Sequence, residues 1–176
     1  MFLTGFADEA AKDLDGQIRA TKELGWRHIE SRNIDGVNLH NLSDAAFETV
    51  VEKLGAAGIQ VNCFGSAIAN WAKDVRKPFD VDLEEATRAI PRMQRLGTKL
   101  IRIMSYPPFE DRPLSDQMAE VRFERLRVLT GKFLDAGLQP VHENCMNYGG
   151  LGWAFTLRML EQVPGLKLVF DTGNPV

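Results

Sequence analysis

Two acidic residues that closely follow apolar runs are the strongest candidates for chemistry. Glu143 comes after the run Leu138–Val141, and Asp171 comes directly after Leu166–Phe170. If both runs are neighbouring parallel strands, their carboxyl ends meet at one edge, where two carboxylates repel each other unless a proton or a cation lies between them. Carboxylate oxygens are also the ligands that hard divalent cations prefer. The alternative is that these residues only cap helices, as Asp171 and Asn144 both can.

Other predicted strands also carry polar side chains. Glu30 ends the run Trp26–Ile29 and is a candidate substrate contact, and its alternative is pairing with an arginine such as Arg32. Arg102 lies within an apolar strand, where a guanidinium must be paired, so we expect a salt bridge to a nearby acid. Strand alternation places Tyr106 on the same face as Arg102, and Tyr106 is a second candidate substrate contact.

His142 precedes Glu143 on the same predicted strand. Successive side chains of a strand point to opposite faces, so the imidazole should point away from the carboxylate. We therefore expect His142 to be packed between strand and helix rather than to bind a ligand.

A repeated pattern positions these residues along the chain. Amphipathic segments end in a glycine, and a short apolar run follows each one, as expected of helices that alternate with buried strands. The predicted helices are Asp13–Leu24, one that Ser43 caps, Asp82–Leu96, Ser115–Ala136 and Trp153–Gln162. The predicted strands are Phe2–Phe6, Arg27–Glu30, Gln60–Phe64, Lys99–Met104, Gln139–Glu143 and Lys167–Phe170. Pro91 should kink or restart the third helix.

This alternation predicts an α/β fold with a parallel sheet. An open doubly wound sheet could be complete with six strands, whereas a (β/α)8 TIM barrel takes about 250 residues and would lack roughly two units here. The sequence stops at Asp171–Val176, after a strand and without a helix to cover that strand. We therefore expect residues 1–176 to form a single, incomplete TIM-barrel domain with about six βα units.

Composition restricts the class of partner. The chain has 176 residues, 44% of them hydrophobic, and a net charge of −3, which gives no electrostatic case for binding nucleic acid. Cys63 and Cys145 form no CxxC pair, and we find neither a signal peptide nor a membrane span. We expect a cytoplasmic protein that contacts neither membrane nor nucleic acid.

Several short motifs, in this order and spacing, resemble the xylose-isomerase-like family of sugar phosphate isomerases and epimerases. The motifs are Gly5–Ala10, Leu24–Glu30, His142–Cys145, Gly149–Trp153 and Leu168–Asn174. The resemblance covers essentially the whole chain. It implies a TIM barrel that holds a divalent metal ion, Mn²⁺, Co²⁺, Mg²⁺ or Zn²⁺, with Glu, Asp, His and Glu from strand ends.

The resemblance also implies roles for particular residues. Glu143 matches the first metal ligand and one of the two glutamates that move a proton, and Asp171 matches the second metal ligand. The His and second Glu would lie beyond Val176. The family position three residues after the Asp ligand is often a substrate-contacting His, and here it is Asn174. We expect Asn144 and Asn174 to contact a small carbohydrate.

Two alternatives remain open. One is an apurinic-site endonuclease built on the same barrel, which needs several His and acidic ligands and a basic groove; three histidines and a net charge of −3 count against it. The other is a catalytically inactive barrel fragment, because two ligands hold a metal poorly. An open barrel edge also favours self-association, so a homo-oligomer is expected.

Overall fold

The structure, a computed structural model, describes residues 1–174. Its contacts divide the chain into two compact units: unit 1 comprises residues 1–66 and 87–101, and unit 2 comprises residues 67–86 and the chain from Arg102 onward. The strands are β1 (His28–Ser31), β2 (Asn33–Ile34), β3 (Val37–Asn38), β4 (Gln60–Gly65), β5 (Leu100–Ile103), β6 (Gln139–Glu143) and β7 (Lys167–Val169). The helices are α1 (Leu14–Glu23), α2 (Asp44–Ala57), α3 (Asp80–Leu96), α4 (Ala119–Asp135) and α5 (Trp153–Gln162). The predicted single domain stays a prediction.

Unit 1 contains parallel strands. β1 pairs in parallel with β4, with Ile29 opposite Val61, and β5 follows β4 in the hydrogen-bonded order. The side chains of Ile29, Val61 and, from α2, Phe47 and Leu54 are all buried and belong to the apolar core. Burial of such side chains contributes roughly 1.5–3 kcal/mol each.

The helix ends of unit 1 follow the local sequence. The Ser43 hydroxyl accepts a hydrogen bond from the backbone N–H of Ala46 at 3.2 Å and so caps α2. Gly58 ends that helix with φ = 68°, a left-handed conformation that glycine adopts without steric cost. At the start of α1, Asp13 Oδ1 accepts from Gly16 N at 2.8 Å, and this bond lowers the pKa of Asp13.

The structure differs from the sequence predictions at the first strand, at Pro91 and at a short antiparallel pair of strands. Phe2–Phe6 is not a strand: Phe6 forms one isolated parallel bridge with Glu30, and the side chains of Phe2 and Leu3 are exposed rather than buried as those of an inner strand would be. The α3 helix is continuous through Pro91, so of the two predicted effects, a kink or a restart, the restart does not occur. The antiparallel pair β2–β3 was not predicted, because two-residue strands carry no periodicity.

Unit 2 contains the strands that carry the main candidate residues. β6 follows β5 in the hydrogen-bonded order and pairs in parallel with β7, with Glu143 opposite Val169. Helix α4 buries Phe123, Leu126 and Phe133. These elements place the carboxyl ends of β6 and β7 side by side. None of the helices within residues 1–174 has both the length and the apolar character of a membrane span.

Candidate metal site

The Glu143 carboxylate is buried and paired with an arginine from the neighbouring strand. Arg102 Nη1 donates to Glu143 Oε2 at 2.5 Å, and the two side chains are 4% and 6% exposed. This contact confirms that the arginine predicted within a buried strand is paired with an acid. The guanidinium fixes the orientation of the carboxylate, because one of its oxygens is held by a charged donor.

Asp171 and Glu143 converge on a single amide group. Asn174 Nδ2 lies 3.0 Å from Glu143 Oε1 and 3.2 Å from Asp171 Oδ2. The other oxygen of Asp171, Oδ1, accepts from Gly173 N at 2.7 Å. The structure therefore brings together three of the sequence-predicted site residues, and each carboxylate has one oxygen held by a donor of its own and one facing the shared amide.

Asn144 holds the turn that carries Asp171. Its Oδ1 accepts from the backbone N–H of Asp171 at 2.6 Å, and its Nδ2 donates to the backbone carbonyl of Asp171 at 3.0 Å. The same nitrogen lies 3.3 Å from the carbonyl oxygen of Asn174. Because both ends of the amide are used by backbone groups, the contacts give no support to the predicted substrate contact of Asn144, and they make it a positioning residue.

A buried hydrogen-bond network supports the turn after Glu143 on the other face of β6. Ser105 Oγ donates to Asn147 Oδ1 at 2.5 Å, accepts from Gly149 N at 2.7 Å and lies 3.0 Å from His142 Nε2. Asn147 Nδ2 in turn donates to the backbone carbonyl of Glu143 at 3.3 Å. Sequence reasoning missed Ser105 and Asn147 as supporting residues.

His142 is packed as predicted. Its side chain is buried, and burial lowers the pKa of His142 to about 4. With the single Ser105 hydroxyl proton directed at Asn147, Ser105 Oγ is left as the acceptor for His142 Nε2–H. The histidine is therefore a neutral structural donor.

Tyr106 lies in the same unit but uses its hydroxyl elsewhere. The side chain is fully buried, and the hydroxyl donates to Asp82 Oδ2 at 2.6 Å. Burial and the neighbouring Asp82 carboxylate raise the pKa of Tyr106. Strand alternation failed here because β5 ends at Ile103 and Tyr106 has a left-handed φ of 62°. The predicted substrate contact of Tyr106 therefore draws no support from its placement.

Glu30 lies within β1, one residue before the strand ends, in unit 1, whereas the carboxylate pair lies in unit 2. The predicted alternative partner, Arg32, pairs with Asp8 at 2.9 Å and with Glu9 at 3.4 Å. The substrate contact of Glu30 stays a prediction.

The arrangement around Glu143 and Asp171 fits part of a divalent-cation site. One oxygen of each carboxylate is directed at the same donor atom, which a cation would replace. Within residues 1–174, no group of three or more His, Cys, Asp or Glu side chains is placed to hold a metal ion. The described residues therefore offer two carboxylates at this point, and one oxygen of each faces Asn174 Nδ2.

The sequence matches the family model described as xylose isomerase-like TIM barrel over residues 18–176. The chain belongs to this family, and the fold class predicted from the sequence, a parallel α/β arrangement of the TIM-barrel kind, is confirmed. A search of curated proteins finds no match.

Solved structures share this fold. The chain is similar to an IOLI protein with a bound zinc atom (14% identity, TM-score 0.76, 98% of this chain and 63% of that chain). It is similar to the probable 3-DHS dehydratase AsbF of Bacillus anthracis, involved in petrobactin synthesis (17% identity, TM-score 0.74, 97% of this chain and 63% of that chain). It is also similar to D-allulose 3-epimerase from Methylomonas sp. in complex with D-allulose (17% identity, TM-score 0.72, 98% of this chain and 62% of that chain). The chain spans less than two thirds of the length of these three structures.

Proposed function

We propose that this chain carries part of the active site of a metal-dependent sugar or sugar phosphate isomerase or epimerase, with Glu143 and Asp171 as ligands of a divalent cation. The observation that supports this most is the convergence of one oxygen from each carboxylate on Asn174 Nδ2, at 3.0 and 3.2 Å. Solved structures of similar fold include an epimerase in complex with D-allulose and a protein with a bound zinc atom.

In this proposal Glu143, Arg102 and Asn144 have different roles. Glu143 would remove and return a proton on a carbon next to a carbonyl group, as a positioned carboxylate can. Arg102 holds Glu143 Oε2 and so orients the carboxylate, while Asn144 fixes the backbone of Asp171. A bound divalent cation, Mn²⁺, Co²⁺, Mg²⁺ or Zn²⁺, would polarise the carbonyl oxygen of the sugar.

One observation supports a second role, in which these residues alone bind a cation or ligand without turnover. The described part of the chain holds the Glu143–Asp171 pair but no group of three His, Cys, Asp or Glu side chains. The same observation gives no support to an apurinic-site endonuclease, which requires several such ligands.

The first test is a Mn²⁺ titration followed by electron paramagnetic resonance, with the wild-type chain and two ligand variants. Asp171→Asn is the sharper variant, because Asp171 pairs with amide groups, whereas Glu143→Gln also removes the charge opposite the buried Arg102. We expect each to weaken Mn²⁺ binding by about tenfold or more, the scale seen when groups around a metal are removed. Glu120→Gln, an exposed acid of the same unit, is the control and should leave binding unchanged.

The second test is deuterium exchange at the carbon next to the carbonyl of ketoses in D₂O, with Mn²⁺ present. Exchange that is lost in Glu143→Gln but kept in Glu120→Gln supports the proton-transfer role. Wild-type Mn²⁺ affinity in Asp171→Asn would contradict the metal assignment, and binding without exchange would favour the second role.

A further inference from the structure

Asn174 occupies the position between the two carboxylates. Its Nδ2 is the shared donor to Glu143 Oε1 and Asp171 Oδ2. The two remaining carboxylate oxygens already have donors, Arg102 for Glu143 and Gly173 for Asp171. The oxygens that face Asn174 are therefore the pair that a cation can share, and the amide nitrogen stands in the way of that cation.

We infer that Asn174 is a third ligand of the metal site, through its amide oxygen Oδ1; this inference rests on the proposed function. An asparagine side chain carries an NH₂ group and a carbonyl oxygen at the two ends of one planar amide. Rotation of that amide by half a turn exchanges the two ends. The NH₂ group bridges the carboxylates when no cation is bound, and Oδ1 faces the cation when one is bound.

Each orientation is the favourable one for its state. Without a cation, two carboxylates that converge on one point repel each other, and a shared N–H donor relieves this repulsion. With a cation present, an NH₂ group would point its positive hydrogens at the ion, whereas an amide oxygen is a ligand that Ca²⁺, Mg²⁺ and similar hard cations accept. The same side chain therefore serves both states.

The backbone around Asn174 is held in place, so that the exchange needs only a side-chain rotation. Asn174 N donates to the carbonyl of Asp171 at 3.4 Å, and the carbonyl of Asn174 accepts from Asn144 Nδ2 at 3.3 Å. Asn144 also pairs with both backbone polar groups of Asp171. The side chains of Asp171 and Asn174 thus both project from one short turn, whose backbone is fixed by hydrogen bonds.

This role differs from the substrate contact predicted for Asn174. A substrate contact would change sugar affinity and leave the affinity for the bare metal ion unchanged. A metal ligand would change the affinity for the ion with no sugar present. Binding of Mn²⁺ alone therefore separates the two.

The first experiment measures Mn²⁺ dissociation constants of the full chain by electron paramagnetic resonance, without substrate. We expect Asn174→Ala to weaken binding by about tenfold, the scale of a lost group at a metal site, and Asn174→Asp, which adds a charged ligand, to strengthen it by about as much. Asn70→Ala is the matched control, since Asn70 is an asparagine of the same unit whose amide oxygen accepts from Ala72 N at 3.1 Å. Circular dichroism checks that each variant is folded.

The outcomes separate this inference from the proposed function. Wild-type or tighter Mn²⁺ binding by Asn174→Ala, while Asp171→Asn loses binding, overturns the ligand role of Asn174 and leaves the metal site standing. Unchanged binding in both variants overturns the metal site and the inference with it.

The second experiment follows the side-chain NH₂ resonances of Asn174 by ¹⁵N–¹H NMR during titration with diamagnetic Mg²⁺. The resonances are assigned from their absence in Asn174→Ala. We expect both protons to move upfield, because they lose their carboxylate acceptors as the amide rotates. Unchanged NH₂ resonances at saturating Mg²⁺ would show that the amide does not rotate, and would overturn the inference.

Discussion

Removal of the Arg102 guanidinium tests how strongly the Glu143 carboxylate depends on its buried partner. Arg102→Met keeps much of the side-chain volume but deletes the donor that lies 2.5 Å from Glu143 Oε2. Both side chains are less than a tenth exposed, so solvent screens the lost interaction little. Loss of one partner of a buried ion pair costs about 3–5 kcal/mol, a large part of the roughly 5–15 kcal/mol that stabilises a typical domain.

The assay is equilibrium unfolding in urea, followed by tryptophan fluorescence and circular dichroism, in buffer with a chelator to exclude metal ions. Glu143→Met and the double variant Arg102→Met/Glu143→Met complete a thermodynamic cycle. We expect the double variant to lose clearly less stability than the sum of the single variants, because neither buried charge remains unpaired.

An exposed ion pair of the same unit provides the control. Arg158 and Glu120 lie 3.0 Å apart, with side chains 53% and 72% exposed, and such pairs contribute about 0–1 kcal/mol. Arg158→Met should therefore hardly change the free energy of unfolding. If Arg102→Met is no more destabilising than Arg158→Met, or if its effect adds to that of Glu143→Met without coupling, the buried pair does not hold the carboxylate as described.

Two further predictions concern the network and the buried phenol. Ser105→Ala leaves Gly149 N and Asn147 Oδ1 without their buried partner and should lower stability by about 1–3 kcal/mol in urea unfolding; a loss no larger than that of the exposed-hydroxyl control Thr49→Ala would contradict the network. The raised pKa of Tyr106 means that its contribution to stability is complete below the unfolded pKa of about 10 and is lost as the pH rises further. Tyr106→Phe should therefore lose less stability than wild type between pH 8 and pH 11, and equal losses would refute the assignment.

The secondary structure was largely predictable because its signals are local. Where a helix ends at a glycine, the signal for that end is the glycine itself. Gly58 and Gly137 both have the left-handed φ that the pattern required, 68° and 72°. β6 has the predicted bounds, and α5 does too. A buried arginine also demands a partner wherever it lies, so that the pairing of Arg102 followed from burial alone.

The contacts that complete the site depend on chain geometry beyond the strand ends, which a sequence pattern does not encode. Asn144 and Asn174 are both polar residues after strands, yet one pairs with backbone groups and the other with two carboxylates. The left-handed turn at Tyr106 reverses the side chain that strand alternation had placed beside Arg102. The polar residues that follow the strands could be located from the sequence, whereas the partner of each amide could not.

The parallel register of β6 and β7 has a consequence for how this site tolerates change. Glu143 lies opposite Val169, and Asp171 follows two residues later. The distance between the two carboxylates therefore depends on the number of residues between Val169 and Asp171. Deletion of Val169 would shift Asp171 by one position relative to Glu143, about 3.3 Å of extended backbone, and so misplace its carboxylate. We therefore expect the relative position of the two carboxylates to be disturbed less by a side-chain substitution near the site than by the removal of one residue from β7.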